Sequence, residues 1–397
     1  MTYRMPPEMA EATRLTRLGK LTEATALIQR LLQGEHAPGP ASGLSSTTID
    51  AEHVPADAEL QCEQLGARFK GPRAAIRPRT SLSETVRRLA AMAKASSLNG
   101  GFAQRPVPDP LPDGASFTAA SYSNAAGTRN YKLYIPSISS SESSKRLALI
   151  VMLHGCTQSP DDFAAGTRMN ALAEEQGFLV AYPAQHALAN AKHCWNWFKP
   201  GDQSRDQGEP SLIAGITQEI MRDHPVDPAR VYIAGLSAGG AAAAIMGDAY
   251  SDLYAAVGVH SGLPSGAASD LPSAFDAMRV GAAIKERSTR IVPTIIFHGD
   301  NDPVVHPRNG DAVAAQALGP ATGLRQTTQH GRAPGGHTYR RNIYADAEGR
   351  TICEQWKIRE AGHAWAGGSP SGSHTDPHGP DASREMVRFF FEQQTSN

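Results

Sequence analysis

The stretch from Val231 to Ala249 constrains this chain more than any other. It holds an apolar run, Val231-Tyr232-Ile233-Ala234, then Gly235-Leu236-Ser237-Ala238-Gly239, then an alanine-rich segment from Gly240 to Ala249. That order predicts a strand, a sharp turn and a helix. A G-x-S-x-G turn in this setting pushes its serine out at the carboxyl end of a parallel sheet, and the small flanking residues admit the strained backbone it needs.

A parallel sheet requires alternating strands and helices, and after Phe117 the chain supplies them. Predicted strands are Tyr131 to Ile135, Leu147 to Leu153, Phe178 to Tyr182, Val231 to Ala234, Ala255 to Val259, Pro293 to Phe297 and Ile352 to Arg359. Predicted helices are Asp161 to Gln176, Ser211 to Asp223, Ala238 to Ala249, Gly310 to Ala317 and Asp381 to Gln393. The unbroken apolar runs Leu147 to Leu153 and Thr294 to Phe297 suit strands buried on both faces. The expected architecture is a mostly parallel, doubly wound sheet, with ligands bound beyond the carboxyl ends of its strands.

Three regions are expected: a small helical hairpin at 1–34, a Pro/Gly/Ser-rich linker at 35–114 with one short helix from Ser83 to Ala95, and the α/β domain at 115–397. The hairpin carries Leu15, Leu18, Leu27, Ile28, Leu31 and Leu32 on helical spacing, and one hairpin cannot form a solenoid by itself. With 38 Lys and Arg against 39 Asp and Glu, no global charge recruits nucleic acid or an anionic membrane. No stretch approaches the roughly 18 apolar residues of a spanning helix, and the N-terminus lacks the apolar core of a secretory signal. Cys62, Cys156, Cys194 and Cys353 are too few and too scattered for a disulfide scaffold or a C-x-x-C metal site, so a structural zinc is not expected. A bridge between Cys156 and Cys194 stays open: it would favour an oxidising compartment, against the missing signal peptide.

A serine hydroxyl is a weak nucleophile near neutral pH, so Ser237 needs a base and an acid that orients the base. In the α/β-hydrolase fold they follow in the order Ser, Asp/Glu, His. Asp302, in His298-Gly299-Asp300-Asn301-Asp302-Pro303, is the expected acid, with Asp300 left to brace the turn. His363, in Ala361-Gly362-His363-Ala364-Trp365, is the expected base because it lies between the last predicted strand and the final helix. His374 and His378 are the alternatives. Acyl transfer also needs donors aimed at the developing oxyanion, expected from the backbone N–H groups of Ala238 and Cys156. His154 and Gln158 read as loop braces. Trp195 and Trp197, in an aperiodic aromatic segment, are expected to line a substrate site, with core packing as the alternative; Trp365 is a weaker candidate of the same kind.

With these residues assembled, the chain from about Ala126 to Phe391 resembles the polyhydroxybutyrate depolymerase family of α/β-hydrolase esterases. The resemblance is carried by Arg129 to Pro136, Leu153-His154-Gly155-Cys156-Thr157-Gln158, Cys194-Trp195-Asn196-Trp197-Phe198, Gly235 to Gly240 and Gly362 to Gly368. It implies Ser237 as nucleophile, Asp302 and His363 as its partners, Cys156 in the oxyanion hole, ester hydrolysis without metal or cofactor, and an extracellular setting. The broader similarity includes feruloyl and acetylxylan esterases. The expected partner is an oligomeric or polymeric ester, and the hairpin at 1–34 is expected to dock on its own protein, a second copy or a polymer granule. Secreted relatives carry a signal peptide and a polymer-binding domain after the catalytic one, whereas this chain ends at Asn397, just past its last predicted helix. The remaining alternative is a binding protein that keeps the fold without turnover.

Overall fold

The computed structural model describes residues 111–137, 146–284, 290–319 and 321–394. The expected hairpin at 1–34 and the helix from Ser83 to Ala95 lie outside the described residues. At the centre stand six parallel strands: β3 (Leu147–Leu153), β4 (Phe178–Pro183), β5 (Val226–Leu236), β6 (Ala256–His260), β7 (Thr294–Gly299) and β10 (Thr351–Ile358), paired in the order β4-β3-β5-β6-β7-β10. Antiparallel strands extend both edges, β1 (Ser116–Asn124) and β2 (Gly127–Ile135) beside β4, and β9 (Thr338–Ala345) and β8 (Arg325–Arg332) beside β10.

The apolar runs explain themselves once helices cover both faces. Leu147, Leu149, Val151 and Leu153 face a core shared with α3 (Gly208–Asp223), α4 (Ala238–Ala249), α5 (Leu271–Val280) and α6 (Arg308–Leu318). The alternate residues Ala148, Ile150 and Met152 face a second core shared with α1 (Pro160–Thr167), α2 (Met169–Gln176) and α7 (Ala382–Phe391). Burying one such side chain contributes about 1.5–3 kcal/mol, so a strand apolar on both faces is stable only at the centre.

The chain winds outward from β3 to β4 and then crosses back to place β5 on the other side of β3. The resulting switch point lies between the carboxyl ends of β3 and β5, where Leu153 pairs with Gly235. The helix expected over Asp161 to Gln176 is two, because Arg168 takes a left-handed conformation (φ 56°) between α1 and α2. No helix among the described residues is long and apolar enough to cross a membrane.

Candidate active site

Ser237 follows β5 and precedes α4, with φ 57° and ψ −118°, a conformation that costs a non-glycine residue free energy and that the surrounding packing must hold. Its N–H donates to His260 O at the end of β6 (2.9 Å). The flanking glycines are required by closeness to β3. A Cβ on Gly239 would stand 2.1 Å from Leu153 O, and one on Gly235 would stand 2.3 Å from Gly239 O. Ser237 itself is half-buried at the amino end of α4, where the helix dipole favours negative charge.

Asp302 lies in the turn after β7 with its carboxylate out of solvent. Oδ1 accepts the N–H groups of Val304 and Val305, each at 2.9 Å, and Oδ2 stands 2.7 Å from His363 Nδ1 and 3.4 Å from His298 Nε2. Burial alone would raise its pKa. Hydrogen bonds from His298 and His363, the attraction of His363 and the Val305 amide outweigh it and hold the carboxyl well below the usual range. Asp300 serves as a brace instead, since its Oδ1 accepts Glu360 N–H at 2.6 Å and so ties the β7 turn to the histidine loop. Of the alternative bases, His374 Nε2 lies 3.5 Å from Thr157 Oγ1, and His378 Nδ1 lies 3.2 Å from Asp376.

His260 has a part in the site that the sequence did not suggest. It is fully buried, stacked against Trp365 and Phe297, and burial pushes its pKa down to about 3, so the ring is neutral. Nε2 accepts Ala366 N–H at 2.9 Å, while the carbonyl of the same residue holds Ser237 N–H. One residue therefore joins the serine turn to the loop that carries His363. The available signal was a histidine closing the apolar run Ala255 to Val259.

Beside the serine turn, the loop after β3 is shaped by its own amides. Gly155 N–H donates to Gln158 Oε1, Thr157 N–H to Lys192 O and Gln158 N–H to Gly155 O. Among the described residues, Cys156 N–H is the one amide of these four that no protein group accepts from. Ala238 N–H belongs to the first turn of α4, whose donors have no intrahelical partner. Cys156 and Cys194 are joined by a disulfide, which closes the question the sequence left open. His154 braces the loop: it is buried and neutral, with a pKa lowered to about 4 by burial, and Nε2 accepts Gln185 N–H at 3.1 Å.

The expectation that Trp195, Trp197 and Trp365 line a substrate site is corrected by their burial, at 0%, 6% and 1% relative exposure. Trp195 Nε1 donates to His154 O at 3.0 Å, Trp365 Nε1 donates to Ser383 Oγ at 3.0 Å, and Trp197 packs edge-on against Phe198. A buried indole needs a partner for its N–H, and Trp195 and Trp365 find theirs inside the protein. The segment that holds Trp195 and Trp197 is anchored by Glu209, a second residue the sequence did not single out. Buried Glu209 accepts Asn196 N–H and Asn196 Nδ2, each at 2.7 Å, and accepts Gln185 Nε2, while Arg129 stands 3.7 Å away. Among the described residues, no group of three His, Cys, Asp or Glu is placed to hold a metal ion.

Known proteins share this fold and parts of this sequence. Residues 129–341 match the family model described as Esterase PHB depolymerase. A poly(3-hydroxyalkanoate) depolymerase C from Paucimonas lemoignei is 32% identical over 228 residues, 54% of this chain and 54% of that protein. A feruloyl esterase B from Neurospora crassa is 30% identical over 155 residues, 38% of this chain and 50% of that protein. The chain thus spans about half the length of these curated relatives. Among solved structures, an acetyl xylan esterase from Aspergillus awamori superposes with a TM-score of 0.54 at 17% identity, covering 69% of this chain and 99% of that one, a likeness of fold. With the family match spanning more than half of its length, this chain belongs to the PHB depolymerase family of esterases, on an α/β-hydrolase fold.

Proposed function

We propose that the chain is a serine ester hydrolase in which Ser237, His363 and Asp302 form the catalytic triad of the domain at 115–397. The observation that carries this is the 2.7 Å contact between His363 Nδ1 and a buried, ionised Asp302, in a loop tied through His260 to the strained Ser237 turn. Asp302 holds the imidazole with its proton on Nδ1, leaving Nε2 to take the Ser237 proton as Oγ adds to the ester carbonyl. The carbonyl oxygen gains the negative charge and is met by the N–H groups of Cys156 and Ala238. His363 then returns the proton to the departing alcohol, leaving an acyl-serine. Water, deprotonated by the same imidazole, releases the acid.

The proposed substrates are oligomeric or polymeric 3-hydroxyalkanoate esters, supported by the name of the Paucimonas lemoignei relative. A second reading, removal of feruloyl or acetyl groups from plant polysaccharide, is supported by the Neurospora crassa relative. The disulfide favours an oxidising, extracellular setting. Ser237→Ala should lower kcat for p-nitrophenyl butyrate by about 10⁴-fold or more. Turnover at the parental rate would sink the assignment. A panel of hydroxybutyrate oligomers, methyl ferulate and acetylated xylan, ranked by kcat/KM, decides between the two substrate classes.

A further inference from the structure

Beyond β10 the sheet ends in a hairpin whose charge pattern is unusual. Register sets His330 on β8 opposite Arg340 on β9, and Arg340 opposite Lys357 on β10, so three basic side chains stand in one row across adjacent strands. Two residues further on, Arg332 lies opposite Thr338, whose carbonyl accepts Arg359 N–H at 2.8 Å. Like charges placed directly opposite on a sheet are destabilising. All five basic residues line one groove of 680 Å³, with Asp300 as its acidic lining residue.

Their partners cancel only part of the charge. Lys357 pairs with Asp311, Arg359 Nε lies 3.9 Å from Glu360, and Arg332 donates to Gly336 O at 2.8 Å. Among the described residues, Arg340 and His330 form no ion pair. The groove borders the turn that carries the candidate acid, because Asp300 lines it, holds Glu360 N–H and precedes Asp302 by two residues.

We infer that this groove binds a carboxylate carried by the ester substrate, namely the chain-end carboxylate of a hydroxyacid oligomer whose scissile ester sits at Ser237. The inference rests on the esterase reading above. Guanidinium forks match carboxylates in bidentate geometry, and each ester cleavage within such an oligomer creates a new carboxylate end. The strand order fixes the reach: with neighbouring strands about 4.8 Å apart, β10 and β9 lie roughly 14 and 19 Å from β5. A hydroxyacid unit with four backbone bonds spans about 5 Å, so an oligomer of roughly three to four units joins the two points.

The test uses the full chain carrying Ser237→Ala, titrated calorimetrically with 3-hydroxybutyrate tetramer as the free acid and as its methyl ester. The free acid is expected to bind about tenfold more tightly, and Arg332→Gln with Arg340→Gln to erase that preference. Equal affinities, no binding of either form, or a preference that survives both substitutions would overturn the inference. Tighter binding of glucuronate-bearing than of neutral xylan fragments, lost with the same substitutions, would keep the carboxylate site but overturn the oligomer as its source. Hydrolysis of p-nitrophenyl butyrate by the parental chain reports separately on the esterase reading.

Discussion

On one flank of the Ser237 turn, the Cys156 loop is fixed by a disulfide to Cys194 and by the buried cluster of Glu209, Gln185, Asn196 and Arg129. On the other flank, the loops bearing Asp302 and His363 are joined by backbone amides: Asp300 N–H to Ile358 O, Asn301 N–H to Ala361 O, and Ala366 N–H to the His260 ring. The contrast suits the roles proposed for each side. Oxyanion donors work by being preorganised, and any loosening weakens a bond made only in the transition state. The proposed base needs one fixed nitrogen and one free one, and the Asp302 contact fixes Nδ1 of His363.

The contrast between the flanks breaks hardest at Asp302. Asp302→Asn keeps the shape but offers an amide where His363 Nδ1–H needs an acceptor, so kcat should fall by about 10⁴-fold while far-ultraviolet circular dichroism stays parental. A loss below tenfold would mean that the imidazole is oriented by something else. Opening the other flank with Cys156→Ser and Cys194→Ser removes a bridge across a 38-residue separation, expected to cost roughly 3–4 kcal/mol in urea unfolding. The same variant should lose kcat more than it raises KM; a change in KM alone would place the loop in substrate binding.

A pH dependence joins the flanks, since each holds one buried neutral histidine. His154 and His260 have pKa values lowered by burial to about 4 and about 3, whereas in the unfolded chain a histidine titrates near 6.5. As pH falls below about 6.5, the unfolded state takes up protons that the folded state does not. Stability therefore declines toward pH 4 by up to about 1.4 kcal/mol per pH unit for each histidine. Asp302 acts in the same direction but lower on the pH scale: its depressed pKa gives stability that is present above about 3.9 and lost only as pH falls through its folded value, so it adds almost no slope between pH 5 and 7. His260→Gln should lower Tm at pH 7.5 and show a shallower decline between pH 6.5 and 5. Parallel curves for variant and parent would contradict the neutral assignment.

What the sequence made legible follows burial. Leu147 to Leu153 and Thr294 to Phe297 announced central strands because both faces are covered, and the small residues around Ser237 announced a turn that nothing larger fits. β8, Arg-Gln-Thr-Thr-Gln-His-Gly-Arg, escaped because its side chains are nearly all exposed, which leaves no apolar alternation to read. α5 escaped although Asp270, Pro272 and Ser273 form a capping box with an early proline, a start signal present in the sequence. The tryptophans at 195 and 197 misled for the opposite reason: an aperiodic aromatic segment looks like an exposed loop until Glu209, on the helix that follows, is seen to anchor it from within. Buried polar pairs of this kind leave no trace in local spacing.

The most direct measurement is covalent labelling of the full chain with a fluorophosphonate, followed by peptide mass spectrometry. A Ser237 nucleophile activated by His363 predicts one equivalent of label on Ser237 in the parent and labelling slowed by at least about 10³-fold in His363→Ala. Label on another residue, or equal labelling rates in the two proteins, would contradict it.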